Sequence, residues 1–279
     1  MGIEVEENPD YAPGQQPKVR KFRRAAPPTF TDVQQEKIYR KGRLAMACRV
    51  VAAQGWGIGC GMQLTSRDPV DTDTIWVVPA GKALAAVKSS DLIQVSITTG
   101  EAIYNDAEFG YDLNAVSIHR AIYAARPDVG AIIHGSTPHA RAFSMQDQPL
   151  EMIVQDSCTF YKRFHRLPFS AGQRALSEPQ GVSNALKDGK GFVMENRGIL
   201  LVGATIECPI SYYIRMESLC QIQLLAEAAL RGRGGDFVRV GQQEVQFTFD
   251  NSGSEHHAWL MAMPYFARQD RLTGGAMVV

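Results

Sequence analysis

His134 and His139 lie five residues apart. The first closes an apolar run, Val129 to His134, of the kind that forms a buried strand. The second follows Ser136, Thr137 and Pro138, and a proline suits the first turn of a helix. Imidazole titrates near pH ~6.5, which makes it the side chain best matched to proton transfer at neutral pH. His134 is therefore a candidate acid, base or hydrogen-bonding anchor, and it also reads as a packed pocket residue. His139 reads either as facing the same cavity or as a helix-surface or interface residue. A second candidate for chemistry is the glycine series Gly55, Gly57, Gly59 and Gly61. It permits a tight turn or close backbone approach. It lacks the lysine-hydroxyl ending of a phosphate loop, so a nucleotide site is not expected.

Composition removes other classes. Lys+Arg and Asp+Glu both number 29, and a chain with no net charge is a poor general binder of nucleic acid. No apolar run reaches the ~18 residues of a membrane span. The segment 1–28 carries Pro9, Pro13, Pro17, Pro27, Pro28 and a short basic run from Lys18 to Arg24. It lacks an apolar signal core and reads as a disordered tail. The cysteines, Cys48, Cys60, Cys158, Cys208 and Cys220, form no CxxC pair, which suits reduced thiols in a cytoplasmic protein.

The elements that must position these residues follow from periodicity. Thr31 or Asp32 can cap a helix over Val33–Ala53, stopped at Gly55. Strands are expected at Thr74–Val78, Leu92–Thr98, Val129–His134, Phe192–Met194 and Ile199–Val202. Helices are expected at Asn114–Ala125, from Pro138, at Ser177–Lys187, and from a Thr205 cap to about Arg231. A strand near Val245–Phe249 and an irregular aromatic, methionine-rich tail complete the reading. Interleaved helices and strands predict one α/β domain over 29–250, with 251–279 a C-terminal tail packed on it or on a neighbour.

Several segments together carry a family resemblance: SRDPVDTDTIWVVPAG (Ser66–Gly81), SIHRAIYAARPDVGAIIH (Ser117–His134), GSTPHARAFS (Gly135–Ser144), VQDSCTFY (Val154–Tyr161) and ENRGILLVGATIE (Glu195–Glu207). From about Thr31 to Val279 the chain resembles the class II aldolase/adducin superfamily, in a stand-alone fungal branch. The resemblance implies a central, mostly antiparallel sheet of about nine strands flanked by helices. It implies a homotetramer with sites between subunits. It also implies, for the aldolases, a zinc ion on three histidines that polarises a substrate carbonyl.

This sequence departs from that pattern. His134 matches the first ligand position, but Ser136 and Arg197 occupy the second and third. A guanidinium stays protonated and repels a cation. No carboxylate stands in Leu113-Asn114-Ala115-Val116, where sugar aldolases carry a base, and Met62-Gln63 replaces a Gly-Asn or Gly-His pair. The expected site therefore needs no metal or other cofactor. Arg197, in place of the cation, can hold a carboxylate or polarise a carbonyl; its other reading is a salt bridge to Asp156 or Glu195. His134 and Arg197 are the catalytic candidates. Met62, Gln63, Ser136, His139, Asn196, Tyr161 and Tyr265 are the substrate-binding candidates, the last from a neighbouring subunit. His119 reads as structural. The expected partners are a small-molecule substrate and further copies of the chain, without nucleic acid or membrane. The function that follows is a lyase- or cyclase-type step in fungal secondary metabolism. Alternatives are an adducin-like scaffold and a metal-dependent aldolase or decarboxylase.

Overall fold

The computed structural model describes residues 25–59, 61–104 and 110–274, apart from the side chain of Tyr104. Most of the expected tail, and Cys60, lie outside the described residues. Among those described, one sheet of eight strands runs in the order β4-β3-β2-β1-β5-β8-β7-β6. The strands are β1 (Gln63–Arg67), β2 (Thr74–Val77), β3 (Ile93–Ser96), β4 (Ala102–Tyr104), β5 (Ala131–Gly135), β6 (Phe164–Leu167), β7 (Gly191–Met194) and β8 (Gly198–Gly203). All pairings are antiparallel except β6 with β7. The sheet is thus the mostly antiparallel, helix-flanked one expected, with eight strands described against about nine.

β5 lies at the centre and is buried along its whole length, because helices cover both faces of the sheet. Alternation along the strand decides what each face receives. Ala131 and Ile133 join a core with α1 (Val33–Val51), α3 (Pro138–Ser144), α6 (Glu207–Arg233) and α8 (Glu255–Leu272). Ile132 joins the opposite core with α2 (Leu113–Ala125) and α5 (Gln180–Leu186). His134 therefore falls on the α2 face. Asp32 caps α1 by accepting from Gln34 N at 2.8 Å, and Asp112 caps α2 by accepting from Ala115 N at 3.1 Å.

Three expectations are corrected. The Val245–Phe249 segment belongs to helix α7 (Gln242–Ser252), not to a strand. Its aromatic alternation resembles a strand, but burial falls on Val245, Thr248, Phe249 and Ser252, the spacing of one helix face. The tail expected to be irregular forms α8, whose buried Ala258, Trp259, Ala262, Phe266 and Gln269 repeat at helical intervals. Ser254 caps it, accepting from His257 N at 3.1 Å. Arg43 of α1 ties it down, with its guanidinium 4.0 Å over the Phe266 ring and its Nε 2.6 Å from Glu207 Oε1. Finally, α6 starts at Glu207 without a side-chain cap; the Thr205 hydroxyl lies instead 3.6 Å from Cys208 Sγ.

Lys190, just before β7, anchors two distant segments. Its Nζ donates to Thr159 O at 2.7 Å and Gly253 O at 2.5 Å, and stands 4.9 Å over the Tyr212 ring. Burial pushes its pKa down to about 7, against the pull of nearby Glu255. The unfolded lysine, titrating at 10.5, binds more protons between those values, so this residue makes stability rise with pH across that window. Below pH ~7 both states are charged, and the full penalty of burying the charge is present. The unfolding free energy of wild type minus that of Lys190→Met should therefore climb from neutral pH upward. A flat difference in denaturant titrations at several pH values would refute this.

Candidate active site

Each strand neighbour of His134 is fixed by register: Gln63 of β1 on one side and Leu200 of β8 on the other. His134 is 5% exposed. Its Nδ1 lies 2.7 Å from Nε2 of His119, a fully buried residue of α2. His119 Nδ1 is 2.8 Å from Thr65 Oγ1 of β1, and that hydroxyl is 3.0 Å from the Tyr123 phenol. Four side chains from three elements thus form one buried line of hydrogen bonds. Burial holds the His134 pKa down at about 4, the positive charge of Arg197 adding to the shift and Asp112 opposing it. Burial, then the neighbouring His134, hold His119 well below the usual histidine range. Both imidazoles are neutral at physiological pH.

Arg197 arrives on the turn between β7 and β8. Asn196 there adopts φ 57°, a left-handed conformation that asparagine tolerates, and its N–H donates to Ser144 O at 3.1 Å. Gly198 follows at φ 142°, and a β-carbon on it would stand 2.1 Å from Gly135 O and 3.0 Å from Ser136 Cα. Glycine thus lets the Arg197 turn lie against the loop that leaves His134. The half-buried guanidinium passes Gly172 of α4 (Phe169–Gln173). Among the described residues it makes no ion pair or hydrogen bond. The expected salt bridge to Glu195 does not form: Glu195 accepts from Phe169 N at 3.1 Å and lies 3.8 Å from Arg166 Nη1. Nor does Arg197 pair with Asp156.

The remaining candidates divide. Ser136 lies against Gly198 beside His134. Gln63 shares the His134 face, but its Nε2 donates to Val78 O at 3.2 Å, lacing the sheet. Met62 points to the other face, its sulfur packed on Gly135 beside the Tyr213 hydroxyl. His139 also belongs to that other face. Its Nδ1 is 3.0 Å from Glu217 Oε1 of α6, and Glu217 further accepts from the His139 and Ala140 amides and the Thr137 hydroxyl. That carboxylate closes the start of α3, which explains why His139 turns away from His134. Tyr161 lines a cleft with Phe164 and Arg166, and Tyr265 one with Asp156, Arg215 and Met261. Within one chain neither lies at His134. Of five clefts lined entirely by described residues, none is lined by His134 or Arg197.

Residues not singled out in the sequence prove central to this geometry. Thr65 and Tyr123 extend the line from His134, Asp112 sets part of its electrostatics, and His119, read as structural, touches it directly. One signal was present: His119 and Tyr123 are four apart on α2, hence on one face.

The zinc site of the family's aldolases does not fit these residues. A guanidinium and a hydroxyl replace two imidazoles, and among the described residues no three His, Cys, Asp or Glu side chains converge to hold a metal. A neutral imidazole under the influence of a guanidinium that has no counter-ion among the described residues instead suits an anionic group, or negative charge that develops during reaction.

Known proteins resemble this chain over most of its length. The family model described as Class II Aldolase and Adducin N-terminal domain matches residues 42–224. The chain is 31% identical over 240 residues to the 4-hydroxy-3-prenylphenylpyruvate oxygenase/4-hydroxy-3-prenylbenzoate synthase of Streptomyces roseochromogenus subsp. oscitans, covering 85% of this chain and 84% of that protein. It is 30% identical over 205 residues to Decarboxylase NovR of Streptomyces niveus, covering 73% and 75%. Among solved structures, the L-fuculose 1-phosphate aldolase from Glaciozyma antarctica PI12 superposes with a TM-score of 0.81 at 34% identity, covering 91% of this chain and 97% of that one. The chain belongs to the class II aldolase/adducin family.

Proposed function

We propose that the protein is a metal-independent lyase- or cyclase-type enzyme of secondary metabolism whose substrate is an organic carboxylic acid. One observation supports this reading: the guanidinium of half-buried Arg197 has no partner among the described residues, and its charge reaches the buried His134. A permanent charge with no counter-ion among the described residues suits an anion from outside. Arg197 binds the carboxylate through its planar fork, or stabilises the enolate left when a bond next to a carbonyl breaks. His134 orients the same group. The names of two relatives support the substrate class, since one is an oxygenase of a prenylphenylpyruvate and the other a decarboxylase. The active form in this reading is a cytoplasmic homotetramer in which Tyr265 of a neighbour helps close the site.

The first test is a screen of aryl-substituted 2-oxo and 3-oxo acids, with products followed by mass spectrometry in the presence of chelator. Protein purified without chelator should contain well under one equivalent of zinc or iron per chain, and should sediment as a tetramer at micromolar concentration. Stoichiometric metal whose removal abolishes turnover would overturn metal independence; a monomer would remove Tyr265 from the site. A second reading is a non-catalytic binding module, since adducins share this family with the enzymes. It predicts no turnover of any acid in the screen.

A further inference from the structure

The line from His134 to Tyr123 has a direction. It contains three contacts: His134 Nδ1 to His119 Nε2, His119 Nδ1 to Thr65 Oγ1, and Thr65 Oγ1 to the Tyr123 hydroxyl. At the buried end stand two hydroxyls, each with one proton, and among the described residues Tyr123 has no acceptor except Thr65. Tyr123 is 1% exposed and Thr65 fully buried, so a hydroxyl proton left unmatched there is costly. Suppose protons pointed away from His134. Each contact would still be made, but the phenol proton would have nowhere to go. Suppose they point toward His134. Tyr123 then donates to Thr65, Thr65 donates to His119 Nδ1, and His119 Nε2–H donates to His134 Nδ1. Every buried proton is matched. The one remaining proton sits on His134 Nε2, on the ring edge away from His119. That nitrogen has no protein partner among the described residues and is not among their fully buried orphaned atoms.

We infer that the Thr65–Tyr123 hydroxyl pair, acting through His119, fixes His134 as the Nε2–H tautomer, so that His134 meets its ligand as a hydrogen-bond donor. The carboxylate of the ligand rests on the function proposed above; the tautomer does not. Thr65, His119 and Tyr123 are then positioning residues. The arrangement also opposes metal binding at His134 Nε2, since the nitrogen that would supply a lone pair carries the proton. An Nε2–H and the Arg197 guanidinium, whose charge reaches His134, both offer donors and no acceptor to an anionic group.

The test reads protons directly and needs no substrate. The full-length protein, labelled with ¹⁵N only at its six histidines, is studied by solid-state NMR, and the His134 signals are assigned by their loss in His134→Gln. Wild type should show the Nε2–H form in excess by roughly tenfold or more. Thr65→Val keeps the side-chain shape but removes the hydroxyl, and should let the tautomers of His134 mix within a few-fold. Thr65→Ser restores the hydroxyl and should restore the excess. A role confined to packing would move stability in Thr65→Val but not the tautomer. Should Thr65→Val fail to fold, Thr65→Ala removes the same hydroxyl and should mix the tautomers, while Tyr123→Phe leaves the Thr65 proton only His119 Nδ1 to bond and should keep the Nε2–H form; an unchanged ratio in folded Thr65→Ala, or an Nδ1–H form in Tyr123→Phe, would overturn the inference. An Nδ1–H form in the wild type would overturn the inference, as would an unchanged tautomer ratio in folded Thr65→Val. Weak binding of phenylpyruvate by a protein with the expected tautomer would count against the proposed substrate class and leave the tautomer standing.

Discussion

Arg197→Ala is expected to lower kcat/KM on the acid substrate by on the order of 10²–10³, the usual cost of removing one preorganised donor from a developing oxyanion. The same variant should fold normally and melt close to wild type. The guanidinium makes no ion pair or hydrogen bond with the described residues, so its removal strands none of them. This combination separates a binding role from a structural one. An arginine held in an internal salt bridge would give the opposite pattern, lost stability first. Arg197→Lys keeps the charge but loses the planar fork, and should recover only part of the rate. Steady-state kinetics with parallel thermal melts decide the matter. Full turnover in folded Arg197→Ala would remove Arg197 from the chemistry.

Gly198→Ala should be the most damaging single methyl in the site. Its φ of 142° is a conformation that L-residues rarely adopt, and the new carbon would press on Gly135 O at 2.1 Å. That contact is backbone against backbone, so no side chain can swing aside. The conformational strain alone costs about 1–3 kcal/mol, and the clash adds to it by forcing β8 away from β5. Against a typical stability of ~5–15 kcal/mol this is a large share. Activity should fall further than stability requires, because the Arg197 turn would shift relative to His134. Gly172→Ala is the control: its new methyl meets Arg197 Nη1 at 3.5 Å, an ordinary contact. Urea unfolding should show a large loss for Gly198→Ala and a small one for Gly172→Ala. Equal stability of the two would show that the β7–β8 turn does not depend on glycine.

The parts of the molecule that were legible beforehand are those governed by local pattern. Helix α1 begins at its Asp32 cap, α2 stops short of Pro127 and α6 ends before Gly234, signals written in the local sequence, and β5 is a continuous apolar run with covered faces. The edge strands β4 and β6 were not legible, since each is short; Phe164–Leu167 mixes His165 and Arg166 into its alternation. α7 was misread because Val245, Phe247 and Phe249 alternate as a strand would, and only tertiary burial shows which of them face inward. The proximity of Arg197 to His134 was expected from family resemblance; His119 was read only as structural, and Thr65 and Tyr123 escaped notice. Their significance lies in hydrogen bonds between β1, α2 and β5, spanning 54 and 58 positions in sequence from Thr65 and 15 between the two histidines. His139 shows the converse. Its closeness in sequence to His134 suggested a shared cavity, but the chain turns through Ser136 and Thr137 and delivers it to Glu217 on the opposite face.

The central claim is that His134 and Arg197 together hold one anionic group. The most direct measurement is a crystal structure of the protein with phenylpyruvate, at a concentration near its measured dissociation constant. The account predicts the carboxylate oxygens within hydrogen-bonding distance of the Arg197 guanidinium, with His134 Nε2 donating to the same acid. A carboxylate bound elsewhere, or an Arg197 paired with an acidic side chain of the protein, would contradict it.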